Sequence, residues 1–274
     1  MSIKAADVMK LRKATGAGMM DCKKALIATD GDFDKAIEEI RKRGQAIASK
    51  RADREATEGA VLAKSSECGK KGALIVLNCE TDFVAKNENF VAFAQSILDK
   101  AIEAQPADLD ALKALDLNGR TVEENVNEQT GVIGEKIDLS GYETVEAEYV
   151  ASYIHAGNKL ATLVGFSAPV EEQAGKDVAM QVAAMAPVSI DKDDVPQNVI
   201  DEELRVGKEK ARLEGKPENM LDKIAQGRLG KFFKESTLVN QAFIKDGKMS
   251  VKQYIESVNK EAKVSAMKRV SLNA

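Results

Sequence analysis

A unit of strand, turn, strand and helix occurs twice in this chain, and it constrains the fold more than any other feature. In the first copy, the apolar stretches 61–63 and 73–77 flank a turn of sequence GKKG, which is the pattern of a β-hairpin. The apolar spacing from about residue 89 to residue 104 then predicts a helix that follows the hairpin.

The second copy lies roughly 85 residues further along the chain. Two strands are predicted at 145–154 and 160–166, on either side of the turn HAGN, and a helix is predicted over about 176–186. The two copies share a pattern more than they share residue identities. Because a hairpin has an apolar face that a helix can cover, the repeat predicts an α+β fold with two related halves, each an antiparallel sheet covered by helices.

Residues 1–45 form a further predicted unit, a head of three short helices. The glycines at 16–18 separate the first helix from the second. Asp32 is placed to cap the third helix, and Gly44 is placed to end it. Because so small a unit buries little surface, we expect the head to be tethered rather than fully docked, with residues 46–56 as the linker.

The remainder divides into core half N at 57–144 and core half C at 145–274. Within the second half, two charged helical stretches with a thin apolar seam flank the turn EGKP, which predicts a projecting helical hairpin, the arm, over about 198–235. A helix at 251–263 and an edge strand at 264–272 are expected after it.

Composition argues against several classes of protein. The 40 basic and 44 acidic residues give a net charge of −4, whereas a nucleic-acid-binding protein usually has a basic excess. A local basic run over 42–54 is interpreted as a solvated helical face. No apolar stretch approaches the roughly 18 residues of a membrane helix, and the first residues lack the apolar core of a signal peptide. Three cysteines without a CxxC pair indicate reduced thiols and a cytoplasmic location.

The sequence lacks the common motifs of catalysis and cofactor binding. There is no GxxxxGK[ST] phosphate loop and no HExxH motif, and a single histidine, His155, nearly excludes metal sites built on histidine. A thiol enzyme would need a Cys79–His155 pair, which stays an alternative although cysteines at strand ends are usually packing groups. We therefore expect no catalytic residue, no cofactor and no metal, and a protein that acts by binding.

The segment 78–87, of sequence NCETDFVAKN, is the strongest candidate for a binding site. It follows the buried strand at 73–77, so Asp82 and Phe83 are predicted to lie in a loop at the end of that strand. Loops held on a rigid scaffold often carry binding residues. The residues alone leave two interpretations open, a contact surface or a phenylalanine that packs inward or against the next helix, and the spacing favours the second.

Two motifs make the chain resemble bacterial elongation factor Ts, the family of guanine-nucleotide exchange factors for the GTPase elongation factor Tu. They are LRKATGAGMMDCKKAL at 11–26 and NCETDFVAK at 78–86. The layout also agrees, because the family has a three-helix head like a ubiquitin-associated domain, two related core halves and a helical hairpin. The resemblance implies a non-enzymatic protein that binds elongation factor Tu·GDP and promotes GDP release, so that GTP can bind.

The resemblance also implies roles for individual residues. One group would wedge into the GTPase and disturb the groups that hold Mg²⁺ near the phosphates, and another would grip a different helix of the GTPase from the head. His155, in the sequence SYIHAG, matches a weaker partner contact. The implied wedge consists of Thr81, Asp82, Phe83 and Val84. The implied head contacts are Arg12, Met19, Met20 and Lys23.

The implied partner is elongation factor Tu, with no direct nucleotide binding, no nucleic acid and no membrane. The role of the arm stays open, and so does a homodimer within the complex. Some family members carry a further C-terminal helix that has no counterpart after the last predicted strand, which leaves the contribution of this end to partner binding open. Glu80 stands where the family pattern accepts glutamine as readily, and we attach no consequence to it.

The other alternative is a generic binding module whose head recognises some other helix or a ubiquitin-like surface.

Overall fold

The chain folds into a helical head, two three-stranded antiparallel sheets and a helical arm. The computed structural model describes residues 3–272. Within that range, no helix combines the length and the apolar character that crossing a bilayer requires. The combination of helices with antiparallel sheets confirms the predicted α+β class.

Three helices form the head, and the first two are separated at the glycines as predicted. Asp32 caps the third helix, because its carboxylate accepts a hydrogen bond from the backbone N–H of Lys35 at 3.0 Å. The prediction that Gly44 ends this helix is wrong, since the helix continues for about two more turns and includes residues 46–51 of the predicted linker. The helices are α1 (Ala5–Thr15), α2 (Met19–Ala28) and α3 (Phe33–Arg51).

Three antiparallel strands make the sheet of the first half, namely β1 (Glu58–Ser65), β2 (Lys71–Cys79) and β3 (Asp138–Glu146). β2 is central, with β1 as its predicted hairpin partner and β3 on its other side. β3 is absent from the sequence-based prediction because its residues are mostly polar and only partly buried. Four helices connect β2 to β3, namely α4 (Asp82–Ala85), α5 (Glu88–Ala104), α6 (Leu109–Ala114) and α7 (Val122–Ile133).

Gly44 marks the place where the head docks on the core. Helix α3 crosses α7 there, and a Cβ atom placed on Gly131 would lie 2.3 Å from the Cα of Gly44. Position 131 therefore accepts no side chain unless the two backbones move apart. The expectation of a tethered head that is not fully docked is thus wrong, because α3 packs directly on the first half of the core.

The second half repeats the arrangement of the first. The elements after β3 are β4 (Tyr149–Ile154), β5 (Leu160–Phe166), α8 (Glu172–Met185), α9 (Gln197–Leu213), α10 (Leu221–Ser236), β6 (Ala242–Phe243), β7 (Asp246–Ser250), α11 (Val251–Val258) and β8 (Val264–Ser271). β4 and β5 form the predicted hairpin, α8 covers it, and β8 pairs with β5 as the predicted edge strand. The strand predicted over 145–154 is in fact two strands, because residues 145–146 end β3 before the chain passes to the other sheet. Helix α11 is shorter than the predicted 251–263.

Alternate residues of the hairpin strands pack into two different apolar layers. In β1, Ala60 and Leu62 pack in the cluster formed with helix α5, whereas Val61 and Ala63 pack with Leu163 of the second sheet. A strand that is buried on both faces has no polar side, which explains why these strands appear in the sequence as uninterrupted apolar runs. The two halves therefore share one apolar layer between their sheets.

Helices α9 and α10 pack against each other as the predicted arm. The contact is made close by small residues, since a Cβ atom on Gly207 would lie 3.3 Å from the Cα of Ala225. Of the predicted apolar seam, Leu221 and Leu229 are buried. At the tip, the side chain of Leu213 is 82% exposed.

Candidate functional site

Phe83 projects into solvent from a single turn of helix. It is 84% exposed. The turn is α4, which begins after Thr81, whose hydroxyl accepts a hydrogen bond from the backbone N–H of Val84 at 3.4 Å. The backbone N–H of Ala85 donates to the carbonyl of Thr81 at 3.2 Å and closes the turn. The segment predicted as a loop is therefore a short helix with a fixed backbone.

The outward direction of Phe83 follows from the burial of the two residues after it. Val84 and Ala85 pack against the apolar core of the first half. Because successive residues of a helix are about 100° apart around its axis, burying these two turns Asp82 and Phe83 towards solvent. The interpretation that Phe83 packs into the core is wrong.

Asp82 is a charged neighbour of this exposed ring. Its carboxylate accepts a hydrogen bond from the Lys86 ammonium at 2.6 Å. This bond, helped by the charge of Lys159, lowers the pKa of the Asp82 carboxyl. Lys159 belongs to the turn between β4 and β5 and also pairs with Glu58 at 2.7 Å. The turn of the second half therefore lies beside the motif of the first.

His155 opens that same turn. Its Nδ1 lies 3.0 Å from the hydroxyl of Tyr153, and its side chain is exposed. The carbonyl of Asn158 accepts a hydrogen bond from the backbone N–H of Val61 at 2.7 Å, which fixes the turn against β1. Lys159 of the same turn pairs with Glu58, which lies opposite Cys79 in the antiparallel pair of β1 and β2, so the turn reaches the end of the sheet from which the Phe83 turn departs. The structure thus brings two of the three predicted contact regions to one end of the sheet.

The third predicted region, on the head, is a separate surface on α1 and α2. Met19 is 39% exposed and Met20 is 62% exposed, and Arg12 and Lys23 also face solvent. Two exposed apolar residues extend this surface and are missing from the sequence-based set. They are Met9, three residues before Arg12, and Ile27, seven residues after Met20. Met9 and Arg12 are three residues apart, and Met20 and Ile27 are seven residues apart, so each pair lies on one face of its helix. This helical spacing is the sequence signal that could have identified Met9 and Ile27.

Cys79 does not have the properties of a catalytic nucleophile. It is fully buried, and its thiol donates to the carbonyl of Thr81 at 3.2 Å. Burial, with the negative charge of Glu135, raises the pKa of Cys79 to about 12. A thiol with this pKa is protonated at neutral pH, whereas the thiolate is the reactive form. The Cys79–His155 alternative therefore loses its support, because the thiol is directed at Thr81.

Glu80 is held by hydrogen bonds from two other segments of the chain. Its carboxylate accepts hydrogen bonds from the guanidinium groups of Arg51 at 2.7 Å and Arg54 at 3.0 Å. It also accepts one from the backbone N–H of Lys136 at 2.6 Å. Burial opposes ionisation of Glu80, but these donors outweigh it and lower the pKa of Glu80 to about 2.

The neighbouring residues complete what we name the junction. Glu135 accepts hydrogen bonds from both the backbone N–H (3.0 Å) and the hydroxyl (2.7 Å) of Thr81. The Lys136 ammonium donates to the carbonyls of Ala52 at 2.7 Å and Arg54 at 2.9 Å, just after the end of α3. Local spacing gives no signal for this arrangement, because its residues lie far apart in sequence. The junction consists of Arg51, Arg54, Glu80, Thr81, Glu135 and Lys136.

Comparison with known proteins places the whole chain in one group of relatives. The family model described as Elongation factor TS matches residues 80–274. The Elongation factor Ts of Christiangramia forsetii is 54% identical over 272 residues, which cover 98% of each chain. Those of Amoebophilus asiaticus and Porphyromonas gingivalis are 53% and 49% identical, and each alignment covers 100% of both chains. The similarity therefore includes the head as well as the two halves of the core.

Proposed function

Because the chain belongs to the elongation factor Ts family and is thus a translation elongation factor, we propose that it binds elongation factor Tu carrying GDP and promotes GDP release. GTP then enters the vacated site. The chain makes and breaks no covalent bond in this role, and it needs no cofactor of its own. The role belongs in the cytoplasm, where translation takes place.

The observation that carries the proposal is the exposed Phe83 ring on a turn whose backbone is fixed by the Thr81 cap and by the packing of Val84 and Ala85 on the core. A free aromatic side chain in water is unfavourable, and large aromatic residues anchored at the centre of an interface often dominate its energy. In this role Phe83 enters between helices of the GTPase, with Asp82 beside it. Thr81 and Val84 act indirectly, because they cap and anchor the turn. Insertion displaces the groups that hold Mg²⁺ at the phosphates of the partner.

Exchange then follows from thermodynamic linkage. A protein that binds the nucleotide-free partner more tightly must weaken nucleotide binding by the same factor by which nucleotide weakens its own binding. An aromatic anchor that supplies about 2 kcal/mol accounts for roughly a thirtyfold change in such a coupling. No chemical step is required, which agrees with the buried, protonated thiol of Cys79.

The head supplies a second contact with another helix of the same GTPase. Its exposed methionines offer adaptable apolar contact, and Arg12 and Lys23 add positive charge at the edge. The turn that contains His155 adds a smaller contact beside Phe83, because both lie at one end of the sheet.

The test is the release of a fluorescent GDP analogue from purified elongation factor Tu, with and without this protein. The native chain is expected to accelerate release strongly. Phe83→Ala should reduce the acceleration about tenfold or more. Leu213→Ala is the matched control, because Leu213 is an equally exposed apolar residue at the tip of the arm.

Each outcome distinguishes a part of the proposal. Loss of acceleration in Phe83→Ala but not in Leu213→Ala supports the wedge. Acceleration that is unchanged in Phe83→Ala retains the exchange function and rejects the wedge. If the native chain produces no acceleration, the exchange function is rejected and the generic binding module becomes the better description.

A further inference from the structure

The junction joins the two surfaces that the proposed function assigns to partner binding. Head helix α3 ends at Arg51, and Glu80 directly precedes Thr81, the residue that caps the Phe83 turn. The guanidinium of Arg51 and the carboxylate of Glu80 lie 2.7 Å apart. A carboxylate at the base of the turn is therefore bound to the end of the head.

This contact differs from an ordinary surface ion pair. The side chains of Arg51 and Glu80 are only 25% and 17% exposed. The pair is also part of a network, because Glu80 accepts from Arg54 and from the Lys136 backbone as well. Isolated exposed pairs contribute little, whereas partly buried networks with several hydrogen bonds fix a geometry more strongly.

The same network holds the other side of the turn. Glu135 binds Thr81 through two hydrogen bonds, and Thr81 is the residue that caps α4. Glu135 and Lys136 directly follow Gly134, which ends α7, the helix on which the head docks. The end of α3, the end of α7 and the base of the turn therefore meet at one place.

We propose that Glu80 is a positioning residue that fixes the Phe83 turn to the end of head helix α3, so that the head and the turn meet the partner as one rigid unit. Glu80 itself does not touch the partner in this arrangement. It acts through the turn, by keeping the exposed ring in one orientation before binding. A ring that is already oriented loses less conformational entropy on insertion.

The inference about exchange rests on the proposed function, so the experiment also includes a measurement that is independent of elongation factor Tu. The chain contains no tryptophan, so Phe83→Trp in the full-length protein introduces a single indole on the turn. Time-resolved fluorescence anisotropy then reports the local motion of the turn in the absence of any partner. Glu80→Ala in this background is expected to increase the fast, local component.

Two further variants separate positioning from a simple loss of charge. Glu80→Gln keeps an acceptor oxygen for the Lys136 N–H and for Arg51, so most of the rigidity should be retained. Arg51→Ala should loosen the turn to an intermediate degree. Glu148→Ala is the matched control, because Glu148 pairs with Lys70 near the opposite end of β2 and should leave the indole unaffected.

Exchange assays on the same substitutions, with Phe83 retained, complete the test. Glu80→Ala should reduce the acceleration of GDP release about tenfold, and Glu80→Gln should stay within about threefold of the native chain. Thermal unfolding of each variant verifies that it is folded at the assay temperature. If Glu80→Ala is unfolded at that temperature, Arg51→Ala takes its place in the exchange assay.

The outcomes can be read separately. Increased motion of the indole together with reduced exchange supports the proposal. Unchanged motion in Glu80→Ala and in Arg51→Ala overturns it, whatever the exchange assay gives. If the indole moves more but exchange is undiminished, the claim that Glu80 supports exchange by positioning the turn is overturned. If the indole moves more but the native chain itself shows no exchange, only the proposed function is rejected.

Discussion

The two halves of the core share one topology, but the segment that follows the second strand has a different structure in each half. In the first half, β2 is followed by Glu80 and Thr81 of the junction and then by the α4 turn, in which Phe83 is 84% exposed. In the second half, β5 is followed directly by residues 167–171, whose apolar members Ala168 and Val170 pack against the local core. The amide of Asn259 also donates to the carbonyl of Pro169 at 2.9 Å and ties that connection down.

The difference shows that the sheet and its helix do not by themselves make a binding site. Both second strands end in a fully buried residue, Cys79 in one half and Phe166 in the other. The first half differs by one additional turn of helix. The residues that precede this turn are hydrogen-bonded to groups from the head and from the loop after α7. A repeated fold therefore provides two equivalent positions, and only one of them carries an exposed aromatic ring.

The connections between the second and third strands differ as well. In the first half this connection contains α7, on which the head docks through Gly44 and Gly131. In the second half it contains the arm, and the third strand, β8, is added only near the end of the chain. One fold thus accommodates a docking site for a helical unit in one half and a helical hairpin in the other.

The strongest contrast between the halves is expected for their phenylalanines. Phe166→Ala should lower the free energy of unfolding by about 3–5 kcal/mol, because it removes a fully buried ring. Phe83→Ala should change it by less than about 0.5 kcal/mol, because that ring is already exposed. Urea unfolding followed by circular dichroism measures both. A large loss of stability in Phe83→Ala would contradict the description of an exposed residue.

The next effect concerns the two connections between the second and third strands, one with the docked helix α7 and one with the arm. Gly131→Ala should destabilise the protein by about 1–3 kcal/mol, since its Cβ would lie 2.3 Å from the backbone of α3 and force the helices apart. Gly230→Ala, in arm helix α10, is the control, because no atom lies within 4 Å of its Cβ position and alanine favours a helix. It should be neutral or stabilising. Equal effects in thermal unfolding would argue against tight docking of the head.

A smaller effect is expected from the pH dependence of stability. Glu80 has a pKa of about 2 in the folded protein against about 4.5 for an ordinary glutamate. Its contribution is therefore complete above about pH 4.5 and is lost as the pH falls from there towards 2. Between these values the native chain should lose more stability than Glu80→Gln, which cannot ionise. The free energy of unfolding in urea is measured for both proteins at several pH values in this range. An equal loss of that free energy in the two proteins would exclude the junction as a source of acid sensitivity.

The smallest expected effect is a difference in chemical reactivity among the three cysteines. Cys68 is exposed and its pKa is lowered by a hydrogen bond with Ser66, whereas Cys22 and Cys79 are buried. Iodoacetamide at pH 8 should therefore modify Cys68 rapidly and the other two only after unfolding. Peptide mass spectrometry gives the rates, and fully denatured protein is the reference. Comparable modification of Cys79 in the folded chain would contradict the closed packing at the end of β2.

The sequence alone was sufficient for the features that arise from local chemistry. The two hairpins, their helices and the arm follow from apolar runs, turn residues and helical spacing. The Asp32 cap follows from a carboxylate placed three residues before a backbone N–H that needs an acceptor. The family motifs at 11–26 and 78–86 identified the protein family, and the comparisons confirm that assignment.

Features that depend on distant residues were decided only by the tertiary structure. Gly44 has the local character of a helix end, yet it lies inside α3 because its lack of a side chain allows α7 to approach. The orientation of Phe83 depends on which neighbours the core of the first half buries. The network around Glu80 joins residues 51, 80 and 136, so no local pattern contains it. Local spacing determines which elements form, whereas packing between elements determines which side chains remain free to bind.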